Sequence, residues 1–185
     1  MGDARRILVY GVTGSGKSTL ARRLGEILGI AATSVDDITW NPGWVPTPTD
    51  VQLAYFDELT QRDAWILDSA YGAWRHLVLE RADLVVALDY PRLTSLVRLL
   101  RRTAARLRDR QAICNGNHES WRTIVARDSI VVWHFGSFRR KRAQMRSWAA
   151  AWSGPPVVLL RRPAHTRAFV ERETVRARTA GEPHS

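Results

Sequence analysis

The chain has 185 residues, the size of one ordinary domain, and 45% hydrophobic with 25% charged residues describe a globular chain able to bury its own core. Its single cysteine, Cys114, excludes an intramolecular disulfide and a multi-cysteine zinc site, and no apolar stretch approaches the roughly 20 residues of a spanning helix. The net charge is +10, from 28 Lys plus Arg against 18 Asp plus Glu, and only Lys17 and Lys141 are lysines. Residues 92–146 hold 14 basic side chains against three acidic ones, Asp109, Glu119 and Asp128. Such a field attracts polyanions without choosing among nucleotide phosphates, nucleic acid or an acidic surface. Arg5 and Arg6 precede an apolar run that ends at Tyr10, too short for a signal sequence, so the chain reads as cytoplasmic with no membrane partner.

In chain order, Arg5–Tyr10 is a short apolar run ending in glycine, a buried first strand. Ser18–Leu28 has Leu20, Leu24, Ile27 and Leu28 at helical spacing and closes on Gly29. Ala31–Val35 is a second strand candidate, Asn41–Pro48 a loop by its prolines and glycine, and Thr49 or Asp50 caps a helix to about Gln61. Trp65–Asp68 and Asp83–Leu88 are third and fourth strands. Pro91 opens an arginine-rich helix to about Arg108, and Asn115-Gly116-Asn117 is a turn signature. Helical patterns cover Trp121–His134 and Phe138–Trp152, and Val157–Leu160 is a last strand before a C-terminal helix. The alternation predicts an α/β fold, a doubly wound five-stranded parallel sheet in a single domain over 1–178, with a disordered tail over 179–185. An acceptor-side insertion falls at about 37–62, and a helical, arginine-rich lid region at about 103–121.

Gly11–Ser18 reads GVTGSGKS, which satisfies G-x-x-x-x-G-K-[ST] between a predicted strand and a predicted helix. Gly11, Gly14 and Gly16 are expected to allow positive φ and close backbone approach to a phosphate. Lys17 supplies a mobile cation for the β- and γ-phosphates, Ser18 a hydroxyl for Mg²⁺, and the following helix directs its N-terminus at the same anion. Thr13, Ser15 and Thr19 complete the loop. These features predict nucleotide binding.

The chain resembles the P-loop kinase superfamily of adenylate-kinase type, and more closely the bacterial "topology modulation protein" group of ATP-binding proteins. The resemblance rests on GVTGSGKSTLARRLGEILGI, VDDITWNPGWVPTP, WILDSAY, ALDYP with its arginine helix, and NGNHES, together spanning about 5–162. The W-x-P-G-W-x-P-T-P segment specifies the subgroup; the P-loop specifies only the superfamily. It implies a nucleoside-monophosphate-kinase-like P-loop fold with ATP as co-substrate and Mg²⁺ as cofactor. The acceptor is left undefined.

Asp68 ends the third strand where a carboxylate of Walker-B type would support Mg²⁺. Asp36 ends the second strand, where strand C-termini converge on the ligand crevice, and could take a proton from a substrate hydroxyl. Small-molecule kinases of the shikimate- and gluconate-kinase kind carry an Asp in a similar place. An anionic Asp36 would repel a monophosphate unless metal or arginine intervened, which leans the reading towards a hydroxyl acceptor. Arg98 and Arg102 fall one helical turn apart. They resemble the adenylate-kinase pair in which the first packs on the base and the second reaches phosphates. Arg106, Arg108 and Arg110 could ride on a lid.

Trp40, Trp44, Tyr71 and Trp74, with Arg75 nearby, surround the expected acceptor side, whereas Trp65 and Trp148 read as core. The expected activity is an ATP-dependent small-molecule kinase acting on a hydroxyl or nucleoside-monophosphate acceptor, with Lys17, Asp36 and Arg102 in the chemistry. The rival is a nucleic-acid-associated regulatory ATPase using the basic surface at 92–146. It is less favoured because no named DNA- or RNA-reading motif is present. No guanine-specifying N-K-x-D motif occurs, which leans the nucleotide towards ATP.

Overall fold

The computed structural model describes residues 3–109, 112–113, 117–118, 130–151 and 153–181. The chain opens with β1 (Arg6–Gly11), α1 (Lys17–Leu28), β2 (Ala32–Thr33) and α2 (Val35–Thr39). The antiparallel hairpin β3 (Trp40–Asn41) and β4 (Val45–Pro46) is joined by a 3₁₀ turn, Pro42–Trp44. Then come α3 (Thr49–Thr60), β5 (Trp65–Leu67), α4 (Arg75–Arg81), β6 (Leu84–Leu88) and α5 (Arg92–Asp109). A second small hairpin, β7 (Ala112–Ile113) and β8 (Asn117–His118), precedes α6 (Ile130–Ala151), β9 (Val157–Leu160) and α7 (Pro163–Gly181).

Five strands form one sheet in the order β2–β5–β1–β6–β9, and all neighbours are parallel. The apolar run of β1 is explained by its central place, because both of its faces are covered. Ile7 and Val9 join Leu20, Leu24 and Phe169 under α1 and α7. Leu8 and Tyr10 join Phe56, Leu59, Val78, Met145 and Trp148 under α3, α4 and α6. The doubly wound sheet expected from the strand–helix alternation is therefore the one observed. It carries the C-terminal ends of β1, β2, β5 and β6 to one edge, where the loops can meet.

Several boundaries differ. The second strand is only Ala32–Thr33, because Val35 already starts α2; Asp36 therefore stands in the first turn of a helix and not at a strand end. The two helices expected at 121–134 and 138–152 are replaced, over the described residues, by one helix through Gly136; residues 121–129 and 152 lie outside the description. The C-terminal helix runs to Gly181, past the expected start of the tail, its last turn closed by the Thr179 hydroxyl on the carbonyls of Val175 and Arg176. Residues 182–185 lie outside the description. Among the described residues no helix is long and apolar enough to cross a membrane.

Candidate functional site

The loop from Gly11 to Gly16 links β1 to α1. Gly14 and Gly16 have φ of 78° and 95°, the left-handed region glycine enters without penalty. Gly11 serves differently from the expectation. Its φ is not positive, but a Cβ there would stand 2.7 Å from Ser15 Oγ and 3.1 Å from Leu88 Cβ, so it is glycine for space. The Ser15 N–H donates to the Val12 carbonyl at 3.2 Å and closes the loop. The first intrahelical bond of α1 is Leu20 N–H to Gly16 O at 3.0 Å, so the amides of Lys17, Ser18 and Thr19 begin the helix with no carbonyl below them. This is a positive helix end behind a glycine cradle, an arrangement suited to phosphate. Thr13 is half-buried at its rim and Thr19 is exposed.

Lys17 is half-buried and donates from Nζ to the Val12 carbonyl at 3.3 Å. Burial lowers its pKa, Asp36 and Asp68 oppose that, and Arg102 adds to the lowering. Four of the expected residues, Lys17, Asp36, Asp68 and Arg102, thus share one electrostatic neighbourhood.

Asp68, directly after β5, is 4% exposed. Its Oδ1 accepts from the Val35 N–H at 2.9 Å, and its carboxylate also takes the Ser18 hydroxyl. Burial raises its pKa, while Ser18, the Val35 amide and Lys17 pull it down. Ser18, Thr33, Ser34, Asp37 and Asp68 line a cavity of about 370 Å³ beside the loop. The oxygen donors there are those a hard divalent cation prefers. Ser18 and Asp68 would hold Mg²⁺ directly or through water, with nucleotide oxygens completing its shell. Asp37 lines this cavity too, a placement its sequence position beside Asp36 did not reveal.

Asp36 faces elsewhere. Its Oδ1 accepts a short hydrogen bond from the Tyr71 hydroxyl. Burial and the Asp36 charge raise the Tyr71 pKa, so the phenol remains a donor. Arg75 starts α4 and is half-buried, its Nη1 donating to Gln144 Oε1 at 3.2 Å and to Tyr10 Oη at 3.5 Å. Lys141 on α6, not singled out in the sequence, lies in the same region with Nζ 5.6 Å from the Tyr10 ring centroid. Burial brings its pKa down to about 7; Lys17, Arg140 and Arg75 act in the same direction, and Asp36 opposes them.

On α5, Arg98 lies 5.1 Å over the Tyr90 ring and donates to the Ser15 carbonyl at 3.2 Å, so it spans from helix to phosphate loop. Arg102, one turn on, is half-buried and reaches the surroundings of Lys17. The aromatic expectation needs a correction. Trp74 is fully buried and stacked on Phe56 at 3.7 Å, so it is core and not acceptor wall. Trp40 and Trp44, in the hairpin that follows α2, pack edge to face at 6.1 Å. Trp44 has φ of 60°, uncommon for a non-glycine residue, and follows Gly43 at 78°; this tight left-handed turn holds the indole at the surface, 37% exposed. Trp65 and Trp148 are buried as expected. Arg110, Cys114 and residues 115, 116 and 119 lie outside the description, so of the expected lid the structure shows the end of α5 and the β7–β8 pairing.

A scan against protein-family models and a search of curated proteins each give no match. Solved structures do. A shikimate kinase from Acinetobacter baumannii, in complex with shikimate, matches with a TM-score of 0.57 at 18% identity, covering 97% of this chain and 96% of that one. A gluconokinase from Sinorhizobium meliloti 1021 matches at 0.52 and 16% identity, covering 97% and 98%. A deoxyadenosine kinase from M. mycoides matches at 0.51 and 12% identity, covering 94% and 98%. Sheet order, glycine loop and these matches define the fold as that of the P-loop kinases.

Proposed function

We propose that the protein is an ATP-dependent small-molecule kinase that phosphorylates a hydroxyl group, in the region of sequence space that resembles the topology modulation group. The observation that carries this reading is the position of Asp36. It is a carboxylate fixed by Tyr71, in the field of Lys17, beside a loop built for phosphate. The gluconokinase and the shikimate-bound shikimate kinase are by name proteins of hydroxyl compounds, which supports the same class here.

In the reaction, the acceptor oxygen forms a bond to the γ-phosphorus. The bond from that phosphorus to the β–γ bridging oxygen breaks, and ADP leaves with its electron pair. Tyr71 occupies Asp36 Oδ1, which leaves Oδ2 to take the proton of the acceptor hydroxyl. Lys17 and Arg102 hold the charge of the transferring group, a task that fixed cations perform best in a partly dry site. Mg²⁺, when bound, neutralises phosphate charge. Arg98 closes over the nucleotide side.

The basic surface at 92–146 supports this reading more than a nucleic-acid one. Arg142 and Arg146 bind Asp89, Arg92 lies 4.7 Å over the Phe138 ring, and Arg98 is tied to the phosphate loop. Four of the 14 basic side chains of this stretch are thus engaged in contacts within the fold.

The test is Asp36→Asn in an acceptor screen of sugars, other hydroxyl compounds and the four nucleoside monophosphates. Turnover on the hydroxyl acceptor should fall roughly 10²–10⁴-fold, the usual range for a lost general base, with ATP affinity little changed. Activity on AMP that survives the substitution would overturn the hydroxyl reading and return the chain to the nucleotide kinases.

A further inference from the structure

Only two of the 28 cationic side chains are lysines, and the fold brings both towards Asp36: each feels the charge of that carboxylate, and Lys141 also feels the charge of Lys17. Lys17 is accounted for by the phosphate loop. Lys141 is not, and the cations around it differ from their neighbours on the same helix. Arg142 and Arg146 share the buried Asp89 as an ion-pair partner, at 2.7 and 2.9 Å. Among the described residues, neither Lys141 nor Arg75 has a carboxylate within ion-pair distance. Arg75 rests on the neutral Gln144 and Tyr10, and Lys141 on the face of the Tyr10 ring. Two half-buried cations with neutral supports, beside a carboxylate already bonded to Tyr71, form an excess of positive charge in a partly desolvated place. Excess charge of that kind is relieved by an anion.

We propose that Lys141 and Arg75 form an anion subsite beside Asp36, so that the acceptor is a hydroxyl compound that also carries a carboxylate or a phosphate ester. This deepens the kinase reading and rests on it for the word acceptor. The subsite itself rests on the cation cluster alone. An anion there raises the proton affinity of Lys141. The groups facing it are Lys17 from α1, Asp36 from α2, Arg75 from α4, Tyr10 from β1 and Arg140 from its own helix. Without ligand the amine loses its proton near pH 7, so binding above that pH draws a proton in, and anion affinity falls as pH rises. The fall is up to tenfold per pH unit between the free and bound midpoints. Arginine at 141 keeps its charge throughout and removes that slope.

The chain labelled with [¹³Cε]lysine gives two side-chain signals, assigned with Lys17→Arg and Lys141→Arg. Titrations from pH 6 to 9 compare D-gluconate, D-ribose 5-phosphate and the uncharged D-glucitol. The expected result is that one of the two anions raises the Lys141 midpoint by about one unit or more while D-glucitol does not. Which anion acts separates the carboxylate from the phosphate ester. Lys141→Met should weaken that anion at least about tenfold, one unpaired charge at this range. Lys141→Arg should bind it with a flat pH dependence. A Lys141 signal unmoved by both anions, or moved equally by D-glucitol, overturns the subsite, and the assignment needs only one of the two conservative arginine variants to fold. Phosphoryl transfer from ATP·Mg in the same samples keeps the two readings apart. Transfer to D-glucitol with no gain on either anion overturns the subsite and leaves the kinase. An anion response at Lys141 with no transfer to any probe supports the subsite on its own, without the kinase reading.

Discussion

The Asp68 carboxylate accepts the backbone N–H of Val35 at 2.9 Å, so the residue that faces Ser18 in the phosphate loop also pins the first turn of the helix carrying Asp36 and Asp37. No side chain local to α2 caps it. One buried side chain, proposed to support Mg²⁺, thus also holds the helix that carries the proposed general base.

Asp68→Ala should therefore cost about 1–3 kcal/mol, the range for leaving a buried donor unmade, and should disturb the Asp36 position as well. Asp68→Asn separates the two roles, because an amide oxygen still accepts the Val35 N–H. Burial raises the folded pKa of Asp68, so keeping this carboxylate ionised costs folding stability, and the neutral amide carries no such penalty. The melting temperature of Asp68→Asn without ligand should match or exceed that of the wild type, while its stabilisation by ATP·Mg over ATP alone should vanish. A retained magnesium-dependent shift would leave Asp68 as a cap only.

Arg98 and Arg102 share a helical face but meet different surroundings, one on Tyr90 and the Ser15 carbonyl, the other near Lys17. Arg98→Ala should raise the dissociation constant for ATP, by about tenfold for a lost charge-assisted contact, with a smaller effect on kcat. Arg102→Ala should act mainly on kcat, since charge near Lys17 matters most as the phosphoryl group transfers. Equal wild-type kinetics in both would assign the pair to the solvated face of α5.

What was legible in the sequence follows from range of interaction. The strands read clearly because β1 and β6 are buried on both faces and their apolar runs are uninterrupted. The phosphate loop read clearly because glycine, lysine and serine must stand at fixed spacing. The helix α2 did not, because five residues hold too little periodicity and its cap, Asp68, lies 33 positions away. Trp74 was misread since its stacking partner, Phe56, belongs to another helix. Lys141 was hidden among Arg139, Arg140 and Arg142; its usable signal was the scarcity of lysine in a chain so rich in arginine.

Gly14 joins the phosphate loop to α5, and its replacement should show that the two act together. Its φ is 78°, and a Cβ would lie 2.3 Å from the Ser95 carbonyl oxygen and 2.9 Å from Leu99 Cβ. The Ser95 contact is backbone inside a helix and cannot yield by rotating a side chain. Gly14→Ala should combine about 1–2 kcal/mol of left-handed strain with about 1–3 kcal/mol of overpacking. Gly29→Ala is the control: its φ of 65° brings the same strain, but nothing lies within 4 Å of the added methyl. Its cost should stop at the strain. The difference in chemical denaturation between the two variants measures the loop–α5 contact. Because Arg98 and Arg102 ride on α5, ATP affinity should fall in Gly14→Ala and hold in Gly29→Ala. Equal destabilisation of both, with ATP affinity intact, would mean that α5 moves aside without consequence and that the loop works independently of the arginine helix.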